Sequence, residues 1–393
     1  MPPDSGTAPS VVQETLPKTG GASRWFRFNL WLHRWSSLVA TLPFLVLCLT
    51  GTILIFHEEI DHAMGVVPEV HQATTQRPMH ESVATVQAKF ADQRILSVAM
   101  EDDHPGVLMV ATAPIQDGGY DNSVFHFTDL ATARLVGGVN LEDTLTGFLF
   151  TLHANWFLGP IGELIGALIA LLVLLSLLSG LVVYAPYVKR MAFGVLRRGR
   201  GARLLQLDLH NFIGAIVLGW SMVVTITGLM LGFGTLVEGA WQANELPRLQ
   251  AEFGGAIADP RKPVATIDRV WEAATKAVPD TKVVSVIWPD TDYSTQRHYT
   301  AFLSGTEGLK ERMYQIALID GETGLVSAVK QPPWYLQAIW VSQPFHFGDY
   351  GGLPLKLLWT ACVWLTLLIT VNGAWLWWDR RRRRSPKPKG AAA

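Results

Sequence analysis

Four histidines recur at two fixed offsets in this chain. Leu32-His33 and Leu209-His210 stand 177 positions apart. At that same offset Thr50-Gly51 matches Thr227-Gly228, Leu54 matches Leu231 and Phe56 matches Phe233. A second offset, 193 positions, relates His153 to His346, Gly159 to Gly352, Gly180 to Gly373 and Tyr184 to Trp377, and it aligns Lys189-Arg190 with Arg382-Arg383. Each of the four histidines adjoins a long apolar run. An ionisable side chain at such a depth is costly unless it faces a cavity, a partner or a metal. Axial ligation of haem iron removes that cost by using the neutral imidazole nitrogen. Paired imidazoles at matching depths are what bis-histidine ligation requires, so His33, His210, His153 and His346 are the expected iron ligands and electron transfer across a membrane the expected chemistry.

The elements that must hold these residues are membrane helices. Hydrophobic residues make up 49% of the 393 positions and charged residues only 17%, below the roughly 25% charge of an average globular domain. Charge-free stretches run over 35–56, 164–188, 209–237 and 357–378, each long enough to cross a bilayer as a helix. The sequence therefore predicts membrane helices at 35–57, 161–188, 209–235 and 354–378, in two duplicated pairs. Basic residues flank them on one side: Lys18, Arg24, Arg27 and Arg34 in segment 1–34, Lys189 through Arg203 in loop 189–208, and Arg380 to Arg384 with Lys387 and Lys389 in tail 379–393. These three segments are expected in the cytoplasm, with both termini inside. The first apolar run is too long for a cleaved signal peptide and is followed by Glu58 and Glu59 rather than a small-residue site. The net charge of −1 gives no reason to expect a nucleic-acid partner; membrane lipid is the expected one. Cys48 and Cys362 fall within helices and read as small apolar fillers.

On this topology His33 pairs with His210 on the inner side and His153 with His346 on the outer side, giving two haems stacked across the bilayer. His57 is an alternative ligand at the outer end of the first helix. It follows His33 by 24 residues, roughly 36 Å along a helix, and its counterpart is Gly234. The remaining histidines, His62, His71, His80, His104, His126 and His298, fall in polar segments and read as ordinary loop or core residues. Gly51, Gly180, Gly228 and Gly373 would admit either a flat macrocycle or a neighbouring helix. Asn211 and Asn372 are candidate partners for the ligands. Trp31, Trp35, Trp375, Trp377 and Trp378 read as an interfacial belt.

Two segments, 66–145 and 247–340, have soluble character and are expected to face the periplasm. Each reads as one helix followed by antiparallel strands. Helices are predicted at 82–90 and 264–277, and strands at 95–100, 107–111 and 123–127 in the first segment. In the second they fall at 282–287, 298–303, 313–319 and 325–329. The turn Asp320-Gly321-Glu322-Thr323-Gly324 is a hairpin signal, with Asp129-Leu130-Ala131-Thr132 as its counterpart. Trp156, Trp241, Trp334, Tyr335 and Trp340 could line an outer docking face or simply pack interfaces.

In these features the chain resembles the PepSY-associated transmembrane proteins, a family that includes inner-membrane ferric-siderophore reductases and other iron-regulated membrane proteins. The resemblance rests on Leu32-His33-Arg34-Trp35 with Thr50-Gly51, Leu152-His153 with Gly180, Leu209-His210-Asn211 with Gly228, Phe345-His346 with Gly373, and the Asp320 to Gly324 turn. It covers residues from about 25 to 380, and the first turn departs from it in having Ala133 where glycine is expected. The resemblance implies an α-helical membrane protein with four transmembrane helices and two periplasmic α+β PepSY-like domains. It also implies haem b as cofactor, two per chain, and an inner-membrane oxidoreductase that reduces a periplasmic ferric siderophore and releases Fe(II) for uptake. Weakening the hold of a hard oxygen chelator by reducing Fe(III) is sound chemistry. No dinucleotide fingerprint is present, so a separate donor is expected: a flavin reductase, reduced flavin or quinol. The rival expectations are a cofactor-free membrane-tethered PepSY scaffold or protease-regulating protein, and a transporter. Against a transporter stand only four helices and no charge at mid-membrane depth.

Overall fold

The computed structural model describes residues 23–70, 75–117, 119–120, 123–188 and 193–384. Lys18, His71, Lys189, Arg190, Lys387 and Lys389 lie outside the described residues. In chain order the elements are α1 (Arg24–Leu54), α2 (His57–Met64), α3 (Met79–Lys89), β1 (Gln93–Ala99), β2 (Val107–Pro114), β3 (Val124–Asp129), β4 (Arg134–Val139), α4 (Leu145–Asn155) and α5 (Gly159–Val188). They continue as α6 (Ala202–Leu231), α7 (Gly234–Phe253), α8 (Ile267–Ala277), β5 (Thr281–Ile287), β6 (His298–Gly305), β7 (Gln315–Asp320), β8 (Val326–Lys330), α9 (Trp334–Phe347) and α10 (Gly352–Arg384).

Among the described residues, four helices are long and apolar enough to cross a membrane: α1, α5, α6 and α10. The chain is a multi-pass membrane protein with an added α+β region. Outward-facing Leu42, Leu168, Ile216 and Leu357 are exposed on these helices, as lipid contact requires. Polar side chains within them satisfy themselves locally. Ser36, Thr41, Thr50, Thr52, Thr227 and Thr370 each donate to the carbonyl one turn earlier, which pairs these six hydroxyls within their own helices. The helices begin earlier than the apolar runs, at Arg24 and Ala202, and α10 continues to Arg384. Charge limits what lipid tolerates but does not stop a helix, so the apolar run marks the bilayer core and not the helix ends.

All eight strands form one antiparallel sheet in the order β4-β3-β2-β1-β5-β6-β7-β8. The same succession, one helix and four strands, occurs on either side of the central β1–β5 seam, where Ser97, Val98 and Ala99 pair with Ile287, Val286 and Ser285. Helices α3 and α8 share one face: Val83, Val86, Val270 and Ala274 pack on Val98, Leu108, Val286, Leu303 and Ile319 in a single core. Strand β1 is buried along nearly its whole length and the edge strand β4 alternates, as central and edge positions dictate. The β7–β8 hairpin closes on Asp320, whose carboxylate accepts from the Glu322 and Thr323 amides and from Arg297. Asp129 repeats the turn through the Ala131 amide.

The sequence reading did not anticipate β4, α7 or the short helices α4 and α9. The last two matter most, because they carry His153 and His346 separately from the long helices. Helix α4 packs between α1 and α5, and α9 packs on α6. Both end in left-handed residues, Trp156 at φ 55° and Gly348 at φ 73°, which turn the chain sharply into α5 and α10. Trp340 on α9 meets Phe302 and Tyr314 at ring-centroid distances of 6.1 and 5.4 Å, tying the sheet to the helical bundle.

Candidate functional site

The structure brings the four predicted histidines together as two pairs. The ring centroids of His33 and His210 are 6.2 Å apart with planes at 75°. Those of His153 and His346 are 6.3 Å apart at 64°. His33 and Gly51 share α1, and Gly51 faces His153. The 18 residues between them place the two levels roughly 27 Å apart along the helix. Helix α6 carries His210 and Gly228 at the same spacing.

Each imidazole lies against one of the four glycines. A methyl group added at Gly180 would come 3.0 Å from His33 Cε1, at Gly373 3.3 Å from His210, at Gly51 3.2 Å from His153 and at Gly228 2.8 Å from His346. At Gly228 the ring stands where a β-carbon would be, and at the other three positions it would have to give way by a few tenths of an ångström.

Hydrogen bonds fix which nitrogen is left free. His33 Nδ1 lies 2.8 Å from the Ser176 carbonyl, and His346 Nδ1 lies 3.0 Å from the Val224 carbonyl. His153 Nδ1 lies 2.8 Å from Thr50 Oγ1. The Thr50 hydroxyl already donates to the Val46 carbonyl, so it accepts from His153. A carbonyl can only accept. In all three rings Nδ1 therefore carries the proton and Nε2 presents a lone pair. His210 Nδ1 is buried and closes no hydrogen bond. Ser176 and Val224 each precede the facing glycine by one helical turn, so one local geometry is used twice. No hydrogen bond engages Nε2 of any of the four among the described residues. A metal-bound histidine characteristically donates its other ring N–H to a carbonyl in this way.

His57 belongs to neither pair. It opens α2, and its Nδ1 lies 2.9 Å from the Leu54 carbonyl. His62, His80 and His104 stand beside Glu69, Asp268 and Glu101, and His298 bonds Thr295 and Ser327. Asn372 donates to Gln206 at 2.8 Å, beside Gly373. Asn211 lines a small cavity with Tyr184, Tyr187 and Asp208. Of the expected docking aromatics, Trp241 is buried and stacks on Tyr293, Trp340 is an interface residue, and Trp334 is exposed.

At the level of His153 and His346 the rim is charged. Lys356, 5% exposed at its side chain, lies 2.8 Å from both Glu58 and Glu59. Burial, the largest single influence, would raise the Glu59 carboxyl, but its bond to Lys356, its own backbone amide and the Lys356 charge together hold it below the usual range. Across the bundle Glu163 accepts from Thr235. Glu238 is raised by burial, against a partial offset from its bond to Tyr293. The sequence signals for these groups were weak: Lys356 sits one residue outside an uncharged run.

The PepSY-associated TM region matches the chain over residues 30–380. An uncharacterized protein of Pseudomonas aeruginosa is 25% identical over 257 residues, covering 59% of this chain and 63% of that relative's length.

Proposed function

Because the chain belongs to the PepSY-associated TM family, we propose that it is a two-haem inner-membrane reductase that passes electrons to a ferric siderophore on the periplasmic side. The observation that carries this reading is the spacing of the two histidine pairs. A metal–nitrogen bond of about 2 Å on each side, with about 1 Å from nitrogen to ring centre, separates two coaxial imidazoles by about 6 Å. The measured separations are 6.2 and 6.3 Å. Among the described residues no three His, Cys, Asp or Glu side chains gather as a metal site. Two imidazoles at each level would hold a macrocycle that brings its own ring nitrogens to the iron.

His33 and His210 would hold one haem b, and His153 and His346 the other. Haem b when bound supplies one-electron chemistry. The chain's own part is to orient the rings. The Ser176 and Val224 carbonyls and the Thr50 hydroxyl keep each Nδ1 protonated, and the facing glycines fix ring depth. Apolar helices exclude water. Lys356 supplies a buried cation at the outer rim.

The same geometry supports an internal duplication. His33 with Gly180 corresponds to His210 with Gly373, and His153 with Gly51 to His346 with Gly228. Orientation follows from Arg24, Arg27, Arg34 and Arg203 at the His33–His210 end, which we assign to the cytoplasm. The sheet then lies in the periplasm, beside the second pair. The electron donor is a separate flavin reductase, reduced flavin or quinol.

The test mixes reduced, detergent-purified protein with a ferric hydroxamate or catecholate chelate in stopped flow, with a ferrous-specific chromogenic chelator present. Reoxidation matched by Fe(II) appearance is expected. Reduced protein left unchanged by every ferric chelate would exclude the acceptor. A colourless purified protein would favour the scaffold reading.

A further inference from the structure

The first four-stranded unit contains an open cleft of about 500 Å³ between the end of α3 and the edge strand β4, lined in part by Lys89, Phe90, His126, Gly137 and Gly138. That is within the size range of small-molecule sites, roughly 300–1,000 Å³. The second unit shows what an ordinary version of this region contains. Across the β3–β4 pair His126 stands opposite Gly138 and Phe127 opposite Gly137. Across β7–β8 the equivalent pairs are Ala317 opposite Val329 and Leu318 opposite Ala328. Where the second unit has aliphatic side chains on both strands, the first sets an imidazole opposite a bare glycine, Gly138, while Gly137 lies against Phe127 and Pro68.

His126 is 4% exposed, and Phe90 stacks on it at 4.1 Å. Its Nε2 lies 2.9 Å from Thr112 Oγ1. The other neighbours of that hydroxyl are the Gln93 side-chain oxygen and the Val124 carbonyl. Both only accept, so the threonine proton goes to one of them and His126 Nε2 must donate. Nδ1 is left as a bare acceptor and has no hydrogen bond among the described residues. A methyl group at Gly138 would sit 3.1 Å from it, so the glycine keeps this nitrogen open to the cleft. Burial first, and Lys89 second, hold the imidazole neutral by lowering its pKa. Lys89 is exposed at the cleft wall, 5.8 Å from the Phe90 ring centre.

A buried acceptor, a flat aromatic wall and one cation define the ligand. We propose that this cleft binds a small aromatic hydroxycarboxylate whose hydroxyl is not ortho to its carboxylate and so is free to donate to His126 Nδ1, with the carboxylate paired to Lys89. The assignment stands apart from the histidine pairs in the membrane and does not depend on the haem reading.

The test is calorimetric titration of the full-length protein in detergent with 3-hydroxybenzoate, benzoate and 3-methoxybenzoate. Saturable binding of 3-hydroxybenzoate is expected, with the other two at least about tenfold weaker, the factor equivalent to one net hydrogen bond. Gly138→Val copies the residue found at the equivalent register of the second unit and should abolish binding. Lys89→Met, at an exposed position, should weaken it about tenfold and serves if the first variant misfolds. Absence of saturable 3-hydroxybenzoate binding would overturn the proposal. So would equal affinity for benzoate, or full affinity in the Lys89→Met or folded Gly138→Val protein.

Discussion

The imidazole of His33 lies 6.2 Å from that of His210, although the two residues come from different membrane helices, α1 and α6. His153 and His346 reproduce that separation at the other level, 6.3 Å, from two short helices that do not themselves span the bilayer. Two unrelated-looking routes through the chain arrive at one geometry, and the predictions below test what that geometry is for.

Removing ligands should be non-additive within a pair and additive between pairs. His33→Ala and His210→Ala should each lower haem content by about half, and the double variant no further, because one missing axial ligand already weakens the site. Combining His33→Ala with His153→Ala should remove nearly all haem. Quantifying haem per chain checks this; equal haem in wild type and His33→Ala would contradict the pairing.

The facing glycines allow the sites to be disturbed without touching a ligand. Gly228→Val would drive side-chain atoms into His346, whose Cε1 is 2.8 Å from a methyl at that position. It should cost about half the haem or shift the spectrum of one centre, since ring orientation is set by what surrounds the ligand. Gly219, on the same helix, has nothing within 4 Å of an added methyl, and Gly219→Val should leave the spectrum unchanged. Equal effects at both positions would count against the packing argument.

The two hairpin turns carry different residues at their left-handed position. Ala133 is left-handed at φ 53° and Gly324 at φ 69°. A β-carbon in this region costs roughly 1–2 kcal/mol, and one at Gly324 would also meet Arg269 Cδ at 2.7 Å. Gly324→Ala should destabilise the sheet by about that amount, while Ala133→Gly should stabilise it by up to about 1 kcal/mol. Thermal melts of the two variants give the comparison; a lowered melting temperature in Ala133→Gly would contradict it.

Asp320 gives the outer region an acid limit. Burial would raise its carboxyl, but the Thr323 amide and then Arg297 and the Glu322 amide overcome that and hold it at about 2. A depressed folded-state pKa contributes stability that is complete above the unfolded value, near 4, and is lost as pH falls through about 2. Asp320→Asn should therefore lower the melting temperature at neutral pH and flatten its fall between about pH 4 and 2. Parallel pH curves for variant and wild type would show that Asp320 does not contribute this dependence.

Much of the site could be read from the chain because identical residues recur at fixed offsets. His33, His210, His153 and His346 and their four glycines all stand in the two registers, and the structure places each histidine against a glycine of the other register. What stayed hidden depends on contacts without a periodic trace. Ser176 and Val224 act through backbone carbonyls, which any residue possesses. Thr50 was visible as a matched position, but its bond to His153 required knowing that α4 folds back along α1. Helices α4 and α9 were missed because they lie next to the long apolar runs, although Thr144 caps the start of α4 and Gly348 the end of α9. Seam pairing of β1 with β5 leaves no local signal, since the two strands lie far apart in the chain and neither names its partner. Lys356 sat at the border of an uncharged run, and its burial depends on Glu58 and Glu59 from the far end of the chain.

The most direct test of the central claim is the oxidised and dithionite-reduced absorption spectrum of the detergent-purified protein, expressed with ample haem supply and quantified per chain. The account predicts sharp b-type bands and two haems, each lost with its own histidine pair. A protein that purifies folded and colourless, or that keeps its haem when all four histidines are replaced, would contradict it.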